Sequence, residues 1–333
     1  MADLVTLGEM LLRLGAPGFQ KIEQATSFEV VVTGAEMNSA VVASRFGLKA
    51  AHVTRLPRSP LGRMVENRIR EHGIDTSHIV WTDEGRVGLF FLEQGAMPRP
   101  SAVVYDRADS TMSRIGPGEV DWDAVLPGAR LFHVCGTAPA LSSSSAEAVR
   151  EAMAAAKRHR VTVSFDLNYR AKLWSIEQAR KTFRELLAFC DILVLGEGDP
   201  GRIFGIDGDA RQAAARMRET FDLKVVAATM REDLSVLRNR WTAIACTDGQ
   251  VYDDVTYEME IIDRVGGGDA FTGAFLYAYA AFDGDIRKCL QYGNAACALK
   301  HTIPGDLNWC TRQDVEDLIT RGPGAGANLR IKR

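Results

Sequence analysis

Residues 261–271 read IIDRVGGGDAF and place three consecutive glycines between an apolar strand candidate and an apolar helix candidate. Without Cβ atoms, the N–H groups of Gly266, Gly267 and Gly268 can approach a phosphate, and the positive end of the helix dipole favours negative charge there. Asp269 falls in the first turn of this helix, where its carboxylate can accept the proton of an attacking hydroxyl. The pattern predicts a phosphate cradle with an adjacent base, although a glycine turn capped by Asp269 would look the same.

The alternation of strands and helices after residue 130 indicates the architecture. Short apolar strand candidates are followed by helical stretches, one of which is expected to open with a capping box formed by Ser144 and Glu147. This alternation predicts an α/β fold with a mostly parallel central sheet flanked by helices. The strand candidates are Leu131–Cys135, 161–165, 192–195 and 225–228, and the helix candidates are 175–189, 209–220, 269–282 and 285–300.

The first third of the chain is richer in strands and turns. A β-rich segment placed before an α/β core and threaded into it predicts a small β-rich lid, formed by residues of about 10–33 and 86–110. Residues 1–318 are therefore predicted to form one domain that includes the lid, and residues 319–333 a flexible tail. The strand candidates here are 28–32 and 87–93, and the helix candidates are 38–46 and 62–71.

Composition and charge exclude several classes of function. The chain has 333 residues and a net charge of −3, so it lacks the basic surface that nucleic acid or acidic lipid requires. Its six cysteines are scattered without a CxxC pair, which favours buried thiols in a reducing compartment over disulfides or a zinc site. No signal peptide or stretch of about 20 apolar residues is present. These features predict a cytoplasmic enzyme without nucleic-acid or membrane partners.

Two motifs resemble those of a known family. Residues 263–271, DRVGGGDAF, resemble the DTxGAGDxF signature of the ribokinase-like (PfkB) sugar kinases, and residues 33–38, TGAEMN, resemble the family's GGxxxN pattern. The resemblance extends over about residues 3 to 318. It implies a ribokinase-like fold and ATP-dependent phosphorylation of a carbohydrate, with ATP and Mg²⁺ as cofactors. It also implies that Asp269 is the catalytic base and that the N–H groups of glycines 266–268 stabilise the transferred phosphoryl group.

Within that family, the similarity is greatest to the 2-keto-3-deoxygluconate kinases. This subgroup phosphorylates a sugar acid, so the resemblance implies conversion of 2-keto-3-deoxygluconate to its 6-phosphate. Arg264, in place of the family's usual threonine, is typical of the subgroup. The segments that carry the resemblance are 34–38 (GAEMN), 105–110 (YDRADS), 166–170 (DLNYR), 263–269 (DRVGGGD) and 301–306 (HTIPGD).

The substrate side of the implied site contains side chains suited to a sugar acid. A planar guanidinium binds a carboxylate bidentately, so Arg107 or Arg170 is expected to bind the acid group, while Tyr105 and Asn38 can hydrogen-bond hydroxyls. Taken singly, the arginines also fit surface salt bridges, and Tyr105 fits an aromatic residue on an edge strand. The candidate substrate-binding residues are Gly34, Asn38, Tyr105, Arg107, Arg170 and Asp306.

The nucleotide side is expected in loops that follow parallel strands, where open α/β sheets bind ligands. Asn294 is one candidate for this side, but it would fit an amide on the surface of a helix equally well. The family's Asn-x-x-Glu motif, which helps to organise magnesium, is replaced here by GEGD at residues 196–199, so Asp199 is the candidate metal ligand on a shorter side chain. The candidate ATP-binding residues are Asn168, Thr229, Arg231, Gly266, Gly268 and Asn294.

Several alternatives remain beside this hypothesis. Residues 196–201 match GxGxxG, but Pro200 and the late position in the chain argue against a dinucleotide fold, and no Walker A, HExxH or GxSxG pattern occurs. Another sugar kinase such as a fructokinase, or a nucleotide- or sugar-binding regulator without turnover, would share the same motifs. The open edges of the predicted lid favour a homo-oligomer formed through it.

Overall fold

The computed structural model describes residues 1–323. Residues 324–333, and with them most of the predicted tail at 319–333, lie outside the described residues. The first three residues of that tail belong instead to a helix, Arg312–Arg321, which the sequence analysis did not anticipate. Thr311 and Asp314 form a capping box at its start, so the signal for this helix is present in the sequence.

The described part of the chain alternates between strands and helices as follows. The strands are β1 (Leu4–Leu7), β2 (Leu11–Gly15), β3 (Glu29–Thr33), β4 (Ala50–Val53), β5 (Arg55–Pro57), β6 (Val80–Thr82), β7 (Gly88–Glu93), β8 (Ala102–Asp106), β9 (Leu131–Cys135), β10 (Thr162–Asp166), β11 (Ile192–Gly196), β12 (Val225–Ser235), β13 (Arg238–Thr247), β14 (Gln250–Asp253) and β15 (Tyr257–Glu260). The helices are α1 (Ala35–Phe46), α2 (Pro60–Glu71), α3 (Trp122–Val125), α4 (Ser143–Arg158), α5 (Ile176–Leu187), α6 (Ala210–Phe221), α7 (Gly267–Ala281), α8 (Ile286–His301) and α9 (Arg312–Arg321).

A nine-stranded central sheet has the order β14-β13-β12-β11-β10-β9-β1-β4, with β15 paired to β13. Within this sheet, the neighbouring strands β4, β1, β9, β10, β11 and β12 run parallel. This confirms the α/β fold class with a mostly parallel sheet. Strands β13, β14 and β15 are antiparallel additions at one end. Only residues 225–228 of β12 are predicted from the sequence. The rest of this strand is mostly polar and largely exposed, so it lacks the apolar pattern of a buried strand.

A separate four-stranded sheet has the order β3-β2-β7-β8. Its strands fall within the two segments predicted to form the lid, and we call it the small sheet. Strands β2 and β7 are parallel, whereas the pairs β2–β3 and β7–β8 are antiparallel. Strands β3 and β8 are therefore its edges.

Several helix starts differ from the predicted ones. Helix α1 begins at Ala35 rather than at residue 38, and α7 begins at Gly267, so two of the three glycines are helical. Helix α4 is capped by Ser142, whose side chain accepts from the N–H of Ser145, and the predicted capping box at Ser144 and Glu147 is wrong. Four consecutive serines at residues 142–145 offer alternative caps, and only the fold selects one of them.

Separate apolar clusters cover the two faces of the central sheet. On one face, the rings of Phe165 in β10 and Phe183 in α5 lie 5.5 Å apart, edge to face. On the other face, Phe271 and Phe275 of α7 are fully buried. All six cysteines are buried free thiols, as expected from their spacing. No helix within residues 1–323 is long and apolar enough to cross a membrane.

Candidate active site

A cavity of about 470 Å³ lies where the carboxyl ends of the parallel strands face the small sheet. This edge of an open α/β sheet is the usual ligand site, because several strand-to-helix loops meet there. Most of the predicted site residues line it: Gly34, Asn38, Tyr105, Arg107, Asn168, Arg170, Asp199, Thr229, Gly266, Gly267, Gly268, Asp269 and Asp306.

The glycine run forms the amino end of α7. Gly266 has φ +82°, in the left-handed region, and its α-carbon lies so close to the main-chain carbonyl of Asp306 that a Cβ atom would come within 1.9 Å of it. A Cβ on Gly268 would meet nothing within 4 Å, so this residue borders open space. The N–H groups of Gly268 and Asp269 have no acceptor among residues 1–323. This helix end can therefore accept an anion such as a phosphate.

Asp269 lies in the first turn of α7 with its carboxylate in the cavity. Burial raises its pKa to about 6, although the hydrogen bond from Asn38 and the charges of Arg170 and Lys300 favour the ionised form. Asn38 Nδ2 donates to Asp269 Oδ2 over 2.7 Å. The helix cap is Gly266, and Asp269 makes no capping hydrogen bond, so the structure does not support the alternative that Asp269 only caps the helix.

Three further carboxyl groups lie near Asp269. Burial raises the pKa of Asp166, at the end of β10, to about 8, with the charges of Asp269 and Asp199 adding to the effect. Burial also raises the pKa of Asp199, which accepts from the N–H of Gly196 over 2.8 Å. In α1, burial raises the pKa of Glu36 to about 7. Acidic groups therefore crowd this part of the protein around the proton acceptor, and burial favours their uncharged forms.

Arg170 is the cation that remains available in this acidic surrounding. It is exposed at the cavity, and its guanidinium forms no ion pair or hydrogen bond within residues 1–323. Its charge favours the ionised forms of Asp166, Asp199 and Asp269. An unpaired guanidinium facing open space can bind an anionic group of a ligand.

Arg107 differs from Arg170 because the protein already binds it. It forms an ion pair with Glu9, which also accepts a hydrogen bond from Ser110. The pair is buried, with side-chain exposures of 10% for Arg107 and 3% for Glu9. The salt-bridge alternative for Arg107 is thus realised, but beside the cavity rather than on the surface. Tyr105 lies on the edge strand β8, which agrees with its interpretation as an aromatic residue of an edge strand. Tyr105 also lines the cavity.

Other predicted residues support the cavity wall. The carboxylate of Asp306 is buried and paired with Arg13, so it faces the protein interior as much as the cavity. Gly34 abuts the carbonyl of Glu9, where a Cβ atom would come within 2.4 Å. Thr229 Oγ1 donates to the carbonyl of Leu195 over 3.3 Å.

Two predicted ATP-binding residues do not line this cavity. Asn294 is buried in α8, and its Nδ2 donates to Asp254 Oδ2 over 2.9 Å and to the carbonyl of Val255 over 3.1 Å. Arg231 lies on the projecting part of β12 and pairs with Asp233 at 3.2 Å. The alternative that Asn294 is a helix-surface amide also does not hold, because its side chain is buried.

Several lining residues were not predicted from the sequence. Glu9 follows β1, Thr137 follows β9, and Asp166 ends β10, so each stands at the carboxyl end of a parallel strand. That position was the available signal, because side chains at these strand ends point towards the usual ligand site. Tyr169 in the loop after β10 and Phe90 in β7 complete the apolar part of the wall.

The donor set fits a magnesium ion that keeps most of its ligands from water and phosphate. No cluster of three or more acidic, histidine or cysteine side chains suited to a metal occurs within residues 1–323. Asp199 supplies one carboxylate at the cavity. Mg²⁺ is commonly bound through one or two carboxylates together with substrate phosphates.

A helix end that accepts a phosphate, beside a carboxylate able to accept a proton, is the arrangement found in enzymes of phosphoryl transfer. The comparison with protein families defines the class further. The model of the pfkB family carbohydrate kinases matches residues 1–312, and the chain belongs to that family. The predicted family is thus confirmed.

Individual relatives share most of the chain's length. A 2-dehydro-3-deoxygalactonokinase of Haloferax volcanii is 40% identical over 325 residues, covering 98% of each chain. A 2-dehydro-3-deoxygluconokinase of Thermoproteus tenax is 30% identical over 309 residues, covering 92% of this chain and 90% of the relative. The crystal structure of a 2-dehydro-3-deoxygluconokinase from Thermotoga maritima superposes with a TM-score of 0.92 at 37% identity, covering 96% of this chain and all of the other. These similarities confirm the ribokinase-like fold and the subgroup resemblance.

We expect Asn38→Ala to raise the pKa of Asp269 above its value of about 6, because the ionised carboxylate loses its hydrogen-bond donor. A ¹³C NMR titration of side-chain carboxyl carbons measures this, with Asp269→Asn identifying the resonance. Ser39→Ala is the matched control, because Ser39 Oγ donates to the main-chain carbonyl of Asp269 over 3.0 Å and not to the carboxylate. An unchanged midpoint in Asn38→Ala would contradict the assignment.

Proposed function

We propose that this protein transfers the γ-phosphoryl group of ATP to the 6-hydroxyl of 2-keto-3-deoxygluconate. One observation carries the proposal: Asp269, held by Asn38, stands beside the free N–H groups at the amino end of α7. The relatives named above act, by their names, on 2-dehydro-3-deoxy sugar acids. The unpaired Arg170 and the adjacent Arg107 supply positive charge for a sugar acid.

In this reaction the substrate hydroxyl attacks the γ-phosphorus while Asp269 accepts the hydroxyl proton, and ADP leaves with the electrons of the broken P–O bond. With a pKa of about 6, Asp269 is mostly ionised at neutral pH and can serve as this base. The N–H groups of Gly268 and Asp269 face the developing negative charge and stabilise it more in the transition state than in the ground state. The small sheet, acting as the lid, would exclude water.

Magnesium fits this arrangement through Asp199. When bound, Mg²⁺ neutralises charge on the polyphosphate, a contribution that the protein's own cations do not duplicate. Asn168 follows β10 and Thr229 lies within β12; both line the cavity together with Asp199, and we assign them to the nucleotide side. A related ribokinase-fold structure, at 21% identity, was determined with ATP and Mg²⁺, and at that identity it shows the fold alone.

The galactonate epimer of the sugar acid is a second candidate for the substrate. The relative at 40% identity is named for the galactonate form, whereas the structure at 37% identity is named for the gluconate form. The two substrates differ at one hydroxyl group. Comparing kcat/KM for both epimers and for fructose assigns the substrate and also tests the fructokinase alternative.

Asp269→Asn should lower kcat by about 10²- to 10⁴-fold, because an amide cannot accept the hydroxyl proton. A coupled ADP-release assay with the sugar acid, ATP and Mg²⁺ measures this, and removal of Mg²⁺ by a chelator should abolish turnover in the wild type. Glu36→Gln is the comparison variant for the loss of a buried carboxylate. Glu36 does not line the cavity, and it accepts a hydrogen bond from the main-chain N–H of Cys135. Wild-type protein that releases no substrate-dependent ADP would favour a binding regulator instead.

Arg170→Ala should lower kcat/KM for the sugar acid by about tenfold or more, and that for fructose much less, because a charged hydrogen bond to the carboxylate is lost. Arg107→Ala should act in the same direction. Arg150→Ala, on the exposed face of α4 and outside the cavity, is the control. If both Arg170→Ala and Arg107→Ala left kcat/KM for the sugar acid unchanged, the substrate would not be a sugar acid.

We also propose that two copies associate through the small sheet. Its edge strands carry the exposed side chains of Val30 in β3 (46% exposed) and Val104 in β8 (53%). Light scattering coupled to size exclusion should give a dimeric or larger mass, and Val30→Lys with Val104→Lys should reduce it to a monomer. Leu61→Lys, an exposed position in α2, should leave the mass unchanged. A monomeric wild type would refute this association.

A further inference from the structure

A cluster of buried charges lies behind the glycine loop, and the proposed mechanism does not use it. Arg13, Asp263, Lys300 and Asp306 are each at most 5% exposed. Two positive and two negative side chains balance within the cluster. Arg13 does not line the cavity, so it has no direct contact with a ligand there. Burying charged groups costs free energy even when they are paired. The cluster is therefore a candidate for a role in the active site.

Arg13 joins the small sheet to both segments that hold the glycine loop. It lies on β2, and its guanidinium contacts Asp263 over 2.6 Å and Asp306 at its other nitrogen. Asp263 precedes the loop and accepts from the N–H of Val265 over 3.0 Å. The main-chain carbonyl of Asp306 abuts the α-carbon of Gly266. One side chain therefore fixes the distance between the entry of the loop and the carbonyl that supports it.

A second path leads from Arg13 to the catalytic base. The side chain of Thr33 lies close enough to the carboxylate of Asp306 to lower its pKa, against the larger effect of burial, which raises it. Thr33 Oγ1 in turn lies 3.1 Å from Asn38 Nδ2, and Asn38 Nδ2 donates to Asp269 over 2.7 Å. Both partners of the proposed phosphoryl transfer, the N–H cradle and the base, are thus connected to the same guanidinium.

We propose that Arg13 is a positioning residue through which the small sheet sets the geometry of the Gly266–Gly268 loop and of Asp269. The proposal rests on the kinase function proposed above. Lys300 alone cannot replace Arg13, because its Nζ donates to the main-chain carbonyls of Asp263 and Ile303 and not to the two carboxylates. A planar guanidinium can span two carboxylates, whereas an ammonium is a single point of charge.

Kinetics of Arg13→Met and Arg13→Lys test this role. We expect Arg13→Met to lower kcat about 10- to 100-fold, as a misplaced catalytic geometry does, with KM for ATP and for the sugar acid changed less than about threefold. Arg13→Lys should recover part of the loss. Arg99→Met is the matched control, because Arg99 also lies in the small-sheet region and pairs with Glu93 over 2.5 Å, away from the loop. It should keep the wild-type kcat.

A double variant separates positioning from charge balance. Arg13→Met with Asp263→Asn, a carboxylate that does not line the cavity, removes one charge of each sign, so it restores kcat if Arg13 only neutralises buried carboxylates and leaves kcat low if Arg13 positions the loop. Thermal unfolding of each variant shows whether it is folded. If Arg13→Met does not fold, Arg13→Lys decides, and a wild-type kcat in that variant overturns the proposal.

Amide hydrogen exchange provides a test that does not depend on turnover. Peptides covering residues 264–271 should exchange faster in Arg13→Met and Arg13→Lys than in the wild type and in Arg99→Met. If the wild type phosphorylates no sugar acid, the proposed function is wrong. The positioning role of Arg13 is then decided by amide hydrogen exchange alone. Unchanged exchange in this segment, in folded Arg13 variants, overturns the inference.

Discussion

Helices α1 and α7 approach so closely in their amino-terminal halves that a Cβ atom on Gly273 would come within 2.3 Å of the main-chain carbonyl of Ser39. This contact places Asn38 next to Asp269 and lets Ser39 bind the Asp269 main chain. The two helices come from opposite ends of the sequence, and each contributes its amino end to the same cavity. The site therefore depends on one tight helix contact, because a larger side chain there would separate the base from its donor.

The same arrangement explains the unusual electrostatics of the cavity. Asp166, Asp199 and Asp269 are brought together at the carboxyl edge of the sheet, and burial raises the pKa of each, with the charges of Asp269 and Asp199 adding to the effect at Asp166. Three arginines line the cavity beside them, but within residues 1–323 only Arg170 of these has no ion pair, and the dipole of α7 adds positive potential. Such a site is not complementary to a polyphosphate by itself. A divalent cation held by Asp199 would resolve this conflict by neutralising charge, which agrees with the proposed use of magnesium.

The parts of this molecule that could be predicted from sequence are those encoded locally. The core strands β9 to β11 are short, largely buried segments rich in apolar residues, and the glycine run before an apolar helix specifies a phosphate-binding helix end without reference to any other segment. The start of α4 was misjudged because four serines compete for the cap position. The polar antiparallel strands after β12 were missed because their pairing, rather than their apolar pattern, defines them.

Long-range pairing limited the prediction of the site in the same way. Arg107 is paired with Glu9, 98 positions away, and Arg13 with Asp306, 293 positions away. No local pattern marks such partners, so the sequence could nominate Arg107 and Asp306 as ligand-binding residues but could not show that other side chains already hold them. The motif residue Asp263 is likewise paired with Arg13, 250 positions away, which no motif contains.

Arg107 and Arg170, two of the three arginines that line the cavity, differ in a way that bears on recognition in the proposed reaction. Arg107 is already fixed by Glu9 and lies over the ring of Tyr105, so its side chain loses little entropy when a ligand binds, but its charge is partly neutralised in advance by Glu9. Arg170 keeps its full charge but is exposed and must be ordered when a ligand binds. A fixed, partly neutralised arginine discriminates by geometry, and a free one attracts by charge. A substrate that combines a carboxylate with precisely spaced hydroxyls would use both, whereas a neutral sugar would leave Arg170 without a partner.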